Sequence, residues 1–454
     1  MKPAPKLRLF AITWPIFIEN LLMVLMGLFG LWLASRISNG AVAAYGLVNQ
    51  ILGALQIVFQ VVSIGTSVVV TQHQGAGDLE GARQIARAGL AASGWVGLAT
   101  LLLMLLGAGG MLALMNLPDD LMSVGQSYTQ WLGLALLFDA ISMTMVAVLR
   151  ANAQTRASMT LVLMMNLIQL CFSVPLMLGV GSWQGLGLDG LAIAMAISRG
   201  IGIGLAWHVW KTLLGVRIHW PDWLVLRRAP LMNILHIGLP GAGEKVAFRI
   251  SFIISVAMVA SMGQVALATH AYVWQAVRLV TLLTVSIGFG TEILIGHHVG
   301  AGRLHGANRS LWQAMAWGMG VMLVCTGVSY FATPMVVGLA TQDAQILALV
   351  ALIVLVELFL EPGRAFNIVV TSGLRAAGDA RFPVKISVIS VFLFGVGLGW
   401  LLGVHFGMGL VGIWIGYAAD ECFRGFIMAL RWRSLGWLSH ARRTRKRILA
   451  QMRG

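Results

Sequence analysis

Charge is what this chain has least of. Only 10% of its 454 residues are Asp, Glu, Lys or Arg, against about 25% in a soluble globular domain. A surface facing water cannot be built from so few, which excludes a soluble enzyme of one or two ordinary domains. A hydrophobic content of 58% equally excludes an intrinsically disordered chain. Acids are scarcer than bases, 16 against 31, for a formal net charge of +15. In a soluble protein that balance suggests nucleic acid as a partner. In a membrane protein Lys and Arg collect in cytoplasmic loops instead, and no nucleic-acid partner is expected. Cysteine is scarce too. Cys171, Cys325 and Cys422 are odd in number, widely spaced and set in apolar stretches, so they make neither a disulfide framework nor a metal site and read as small buried core residues. The chain has no Walker lysine motif, zinc-ligand spacing or nucleophile elbow. ATP-driven transport and covalent catalysis therefore lack support, and no resident cofactor is expected.

What the chain does have is long apolar runs. A helix needs about 20 residues to cross a hydrocarbon core. Runs of that kind lie at 10–34, 41–70, 88–114, 127–149, 158–181, 186–214, 233–260, 264–296, 310–335, 344–373, 383–404 and 407–433. Barrel strands alternate apolar and polar residues over about 10 positions, whereas these runs are continuous and twice as long. The expected fold class is an all-α integral membrane protein with twelve transmembrane helices. Lys2, Lys6 and Arg8 before an apolar run have the outline of a signal peptide, but the run continues to Ala34. That exceeds a signal h-region of about 7–15 residues, so it reads as an uncleaved first span.

Basic residues set the orientation. With the N-terminus in the cytoplasm, the loops near 71–87, 150–157, 211–232, 297–309 and 374–385 are cytoplasmic. They hold Arg83, Arg87, Arg150, Arg156, Lys211, Arg217, Arg227, Arg228, Arg303, Arg309, Arg375, Arg381 and Lys385. The opposite loops hold Asp119, Asp120, Asp189 and Asp343, with Arg36 as their basic residue. This asymmetry places both termini in the cytoplasm of a multi-pass protein of the bacterial inner membrane. The tail 434–454, with Arg442, Arg443, Arg445, Lys446 and Arg447, suits anionic lipid headgroups at about 1 kcal/mol per basic residue. A solvated tail without a role is the alternative.

The chain also repeats itself. Pro15 with Glu19 matches Pro240 with Glu244 at an offset of 225 residues, and Gly75-Ala76-Gly77 matches Gly300-Ala301-Gly302 at the same offset. Leu149-Arg150-Ala151 matches Leu374-Arg375-Ala376 in that register, while Gly187-Leu188-Asp189-Gly190 matches Gly409-Leu410-Val411-Gly412 at 222. The expected organisation is an N-terminal six-helix half over 1–214, a linker over 215–232, a C-terminal half over 233–433 and the tail 434–454. An even number of spans per half keeps the two copies parallel. Pseudo-symmetric halves around a central cavity are an architecture of alternating access.

Pro15, the Gln74-Gly75-Ala76-Gly77-Asp78 loop with its repeat, Gly238-Leu239-Pro240 and Leu374-Arg375-Ala376-Ala377-Gly378-Asp379 together resemble the multidrug and toxic compound extrusion (MATE) family. The resemblance covers essentially the whole chain. It implies a cation-coupled antiporter, not an enzyme, that exports amphipathic and often cationic small molecules in exchange for H⁺ or Na⁺. The chain departs from the family at one place. Many members carry an aspartate in the middle of the first span, where this chain reads Gly27-Leu28-Phe29-Gly30-Leu31-Trp32 and Gly30 takes the acid's position. A proton-release step through that aspartate therefore does not carry over.

An ionisable group at the centre of a membrane helix costs about 2.5–3.5 kcal/mol and marks a task. Glu19 and Glu244 each follow a proline by four residues. Pro15 and Pro240 remove a helical hydrogen bond one turn back, at Ala11 and His236, so the carboxylate beside the kink can bind a cation or hold a proton. The alternative is a structural carboxylate bonded to a neighbouring helix. In the tenth span Glu357, Glu361 and Arg364 share one face at spacings of four and three, with Pro362 weakening the helix between them. They form an expected coupling cluster or, alternatively, a neutralising ion pair. Asp139 and Arg364 occupy equivalent places, which suggests a pair between the halves. Lys245, Arg249 and Arg278 are possible charge partners or anion attractors. Asn49 and Asn367 are polar groups able to meet substrate, although interhelical hydrogen bonds are the commoner use.

Gly185-Leu186-Gly187-Leu188-Asp189-Gly190 and Gly407-Met408-Gly409-Leu410-Val411-Gly412 fit a dinucleotide-binding pattern. Both lie between spans and read as tight turns. A rival function is a flippase for lipids or lipid-linked oligosaccharides of related fold, which needs a wide cationic cavity. An integral-membrane enzyme needs a catalytic or metal cluster at one membrane face, and His297-His298 has no acid or cysteine at ligand spacing. The expected unit is a functional monomer.

Overall fold

The computed structural model of the chain describes residues 8–224 and 226–452, with Trp220 and Leu224 described by their backbone alone. Lys2, Lys6 and the last two residues of the tail lie outside the described residues. Among the described residues the helices are α1 (Leu9–Ser35), α2 (Asn39–Ala76), α3 (Leu79–Leu114), α4 (Asp119–Ala151), α5 (Thr155–Leu178), α6 (Leu188–Leu214) and α7 (Trp220–Leu224). They continue with α8 (Arg228–Ser261), α9 (Gln264–Gly300), α10 (Leu304–Ala340), α11 (Ala344–Ala376), α12 (Arg381–His405), α13 (Gly409–Arg433) and α14 (Leu438–Gln451). The one bridge of β type, Val180 with Trp183, belongs to a turn.

The twelve long helices α1–α6 and α8–α13 are the expected spans. Ten are long and apolar enough to cross a membrane by length and composition. The other two, α8 and α13, have apolar runs broken by Glu244, Lys245 and Arg249 and by Asp420, Glu421 and Arg424. Apolar side chains face outward all along the bundle. Leu106 is 86% exposed and Leu339 85%, which suits hydrocarbon and not water. Cys171 and Cys422 are likewise exposed and Cys325 is half-buried, correcting the expectation of buried core cysteines. In a membrane helix an apolar stretch is apolar on its lipid face too, so hydropathy alone does not mark the core.

Several helices outrun their apolar stretches. α2 continues to Ala76 because its last polar residues are packed inside the protein: Thr71, Gln72 and His73 are buried, and His73 Nδ1 lies 2.7 Å from Asp78 Oδ2. Asp78 also caps α3, accepting from the Gly81 N–H at 2.9 Å. The G-x-G stretches are turns, as expected. Gly187 and Gly409, with φ of 60° and 61°, take the left-handed conformation just before α6 and α13. α13 then packs closely on α12, where a methyl group added at Gly416 would lie 2.8 Å from Gly399 Cα.

The chain divides into two compact units. One holds residues 18–74 and 78–239, the other residues up to 17, 75–77 and 240–454. The divisions inside α1 and α8 fall at Phe17–Ile18 and Leu239–Pro240, each within three residues of that helix's proline. The N-terminal unit has a core of Val68, Leu90, Met145, Leu149, Trp210 and Ile237, and a second of Leu33, Tyr45, Phe59, Met104 and Leu136. In the C-terminal unit Ile295, Leu311, Leu374 and Trp432 form one core, and Val273, Ile353, Leu360, Ile413 and Trp414 another. The expected linker 215–232 contains α7 and the start of α8. The tail forms α14. It docks through Ala441, Thr444 and Ile448, while Trp437 stacks on Trp432 at 4.1 Å between ring centroids.

Candidate functional site

In the N-terminal unit Glu19 is buried at 5% exposure. Ser158 of α5 donates to its Oε1, and Arg150 at the end of α4 places Nη1 3.6 Å from its Oε2. One charge partner and one hydroxyl satisfy this carboxylate from two other helices. Asp139 is paired as well: Arg199 of α6 donates through Nε to its Oδ1 at 2.8 Å. The expected pairing of Asp139 with Arg364 is therefore corrected. Each has its partner inside its own unit, because α4 and α6 pack side by side and present acid and base at one level.

Gly30, at the position where family members carry the acid, is fixed by packing. A Cβ there would come within 3.0 Å of the Tyr45 ring, and the Tyr45 hydroxyl donates to the Gly27 carbonyl at 3.1 Å. The tyrosine fills the space an acidic side chain would need. Asn49 donates to the Tyr45 carbonyl at 2.8 Å and Asn166 to that of Val162 at 2.9 Å, so both amides bond within their own helices rather than between helices.

The C-terminal unit gathers more charge. Glu244 accepts from Ser387 of α12 at 2.8 Å. Its neighbour Lys245 interacts electrostatically with Glu244, Glu292 and Arg375, and Arg375 Nε stands 3.7 Å from Glu292 Oε2. Arg150 and Arg375, equivalent in the repeat, thus each hold a buried carboxylate, but from different helices. Arg249 and Arg278 are exposed.

α11 and α13 carry the main cluster. Glu361 and Arg364 form a buried pair, and Arg364 also donates to Glu421 at 3.3 Å and to Thr281 of α9 at 2.8 Å. Glu421 further accepts from Asn367 at 2.9 Å and lies 3.2 Å from Arg424. Arg424 bonds Asp420 at 2.5 Å, and Ser390 donates to Asp420 at 2.6 Å. Glu357 is 1% exposed; its Oε1 and the Oε2 of Glu361 have no hydrogen-bond partner among the described residues.

Four acids therefore face two arginines, an excess of two negative charges if all are ionised. A buried uncompensated carboxylate is costly, so the cluster demands a cation or protons. Beside it, Phe248, Ser251, Phe252, Trp274, Arg364, Val391, Tyr417, Asp420 and Glu421 line a cavity with about 20 Å³ of space for water centres, enough for one water molecule.

Of the expected site residues, Glu357, Glu361, Arg364 and Asn367 come together as the tenth-span spacing implied, with Pro362 inside the same helix. Glu19 with Pro15 and Glu244 with Pro240 form separate groups. The sequence reading left Asp420, Glu421, Arg424, Glu292, Arg150 and Arg375 out of the site. Their membrane depth was a usable signal for the α13 trio; nothing in sequence showed that α13 lies against α11.

The family profile described as MatE matches residues 15–175 and 240–401, two stretches that begin at Pro15 and Pro240. The chain belongs to the MATE family. It is 32% identical, over 96% of both chains, to a protein of Bacillus subtilis strain 168 named uncharacterized transporter YisQ. With the probable multidrug resistance protein NorM of Thermotoga maritima it shares 24% identity over 98% of this chain and 96% of that one. Its fold matches the crystal structure of the MATE transporter VcmN of Vibrio cholerae with a TM-score of 0.85 at 22% identity, covering 94% and 96% of the two chains. MATE membership makes it a multi-pass membrane protein of a bacterial transporter family.

Proposed function

We propose that this MATE protein is a secondary antiporter that exports amphipathic, mainly cationic small molecules in exchange for H⁺ or Na⁺ by alternating access. The carrying observation is the charge imbalance on α11 and α13, with Glu357 and Glu361 each keeping an unpartnered buried oxygen beside Arg364. Inward-moving H⁺ or Na⁺ neutralises this pair. The conformation with the neutralised cluster then differs in energy from the charged one, and only such a difference lets the ion bias the transporter's states. Moving an equilibrium from 1:99 to 99:1 takes about 5.5 kcal/mol of differential affinity. A membrane potential supplies about 2.3 kcal/mol per charge per 100 mV, to which a pH or Na⁺ gradient adds. Glu19 and Glu244 act as further proton- or cation-responsive groups at the prolines of α1 and α8. Asp139, salt-bridged to Arg199, serves structure.

The protein works as a monomer in the bacterial inner membrane with both termini in the cytoplasm. The basic face of α14, including Arg442, Arg443 and Lys446, lies near anionic lipid headgroups. Ethidium efflux from proteoliposomes, with a pH gradient and a Na⁺ gradient imposed separately, tests the reading. Efflux driven by one gradient supports antiport and names the ion. No efflux under either gradient, with ethidium or other cationic dyes, overturns it in favour of a lipid or lipid-linked oligosaccharide flippase.

A further inference from the structure

His270 is a polar residue in an apolar place. It sits less than two turns into α9 and is 3% exposed, and neither ring nitrogen has a hydrogen-bond partner among the described residues. Four aromatic rings surround it. Trp274, one turn along α9, stacks on it at 6.0 Å and an interplanar angle of 23°. Phe252 of α8 lies at 6.1 Å, while Trp414 and Tyr417 of α13 lie at 5.6 and 6.4 Å. A neutral imidazole has one donor and one acceptor, and leaving both unmet inside a protein calls for an explanation. Ring faces about 6 Å away favour a cation at this position, so the surroundings tolerate an imidazolium better than an aliphatic core would.

The cage has an outlet. Phe252, Trp274 and Tyr417 also line the one-water cavity, whose far wall is Arg364, Asp420 and Glu421. The titratable and charged groups nearest the cage are Tyr417, Asp420 and Glu421 on α13, Glu357 on α11 and Arg278 further along α9. On α8 the nearest is Arg249, one turn before Phe252 and exposed. In the repeat, His270 is the counterpart of Tyr45 and Phe252 of Gly27, the pair joined by a hydrogen bond in the N-terminal unit. There the hydroxyl is satisfied; in the C-terminal unit the ring nitrogens are left open.

We propose that His270 is a proton relay that delivers protons from the start of α9 to the carboxylates of α11 and α13. A proton from solvent binds one ring nitrogen and gives an imidazolium held by the four rings. That ion passes its proton to Tyr417 Oη as the tyrosine O–H moves to the water in the cavity, and the water protonates Asp420 or Glu421. Imidazole and tyrosine end neutral, and one proton has moved to one carboxylate. His270 carries the proton in passing and is neutral at rest. The relay rests on the cation-coupled reading above and makes H⁺ the coupling ion.

The test is the exchange of the His270 ring N–H with water, followed by NMR on full-length protein labelled with ¹⁵N-histidine in lipid nanodiscs. Its signal is identified by its absence in His270→Gln. A relay predicts rapid exchange that Tyr417→Phe slows, together with proton-driven ethidium efflux lowered about tenfold or more in Tyr417→Phe. A ring N–H protected from water, or exchange and efflux both unchanged in Tyr417→Phe, overturns the relay. Because Tyr417→Phe keeps the ring, the test survives if His270→Gln does not fold. Rapid exchange without proton-driven efflux in the wild type would sink proton antiport and leave His270 a water-connected proton site. A protected N–H with proton-driven efflux would do the reverse.

Discussion

Arg364 on α11 donates through Nε to Oε1 of Glu421 on α13 at 3.3 Å, and this contact holds together the two helices that carry most of the buried charge. Glu421 also meets Arg424 and Asn367, so it compensates two guanidiniums at once. Removing one partner of a buried pair costs about 3–5 kcal/mol because the other charge is stranded. Glu421→Ala is therefore expected to lower stability by that amount. Thermal unfolding in detergent, read by size exclusion after heating, checks it. A variant as stable as wild type would show that Asp420 and Glu361 suffice for both arginines.

Asp139 with Arg199 is the comparable pair in the N-terminal unit, with side chains 14% and 17% exposed. Asp139→Asn alone is expected to cost about 2 kcal/mol, less than a fully buried pair. Asp139→Asn with Arg199→Gln should recover most of that loss, since no charge is then left unpaired. Both variants should keep gradient-driven efflux once folded. Loss of efflux in the stable double variant would return Asp139 to the coupling residues.

The turn after α4 holds Ala153 at φ 60°, where the equivalent turn after α11 has Gly378 at φ 92°. A left-handed alanine costs about 1–2 kcal/mol. Ala153→Gly is expected to raise stability by about 1 kcal/mol, the glycine giving back part of the gain through unfolded-state entropy. Gly378→Ala should lose more, because its new methyl would lie 2.6 Å from Thr444 Oγ1 of the docked α14. Paired melting curves of the two variants read the signs directly.

Gly30→Asp restores the acid that other family members carry in this span. The Tyr45 ring fills that space, so the variant is expected to unfold at lower temperature, and adding Tyr45→Ala should recover part of the loss. A Gly30→Asp protein as stable as wild type would show that Tyr45 can swing away.

Much of this fold is written in the sequence because hydrocarbon imposes one requirement on every span. The twelve runs matched helices to within a few residues except where polar ends, as at Thr71–Gln74, stay helical through buried partners that hydropathy does not record. The repeat of Pro15 with Glu19 at Pro240 with Glu244 was legible as register. The shared face of Glu357, Glu361 and Arg364 followed from helical period. Partners were not legible: symmetry suggested Arg364 for Asp139, whereas helix packing gives it Arg199. The cage around His270 was also hidden, since its rings come from α8, α9 and α13 at no fixed spacing.

Glu357→Gln tests the central claim, that the α11–α13 carboxylates bind the coupling cation, because it removes charge while sparing every hydrogen bond described for the Arg364–Glu421 network. Reconstituted wild type and Glu357→Gln are compared for gradient-driven ethidium efflux and for ethidium counterflow with no ion gradient. The expected result is counterflow near the wild-type rate with gradient-driven efflux lost in the variant. Gradient-driven efflux at the wild-type rate in Glu357→Gln would contradict it.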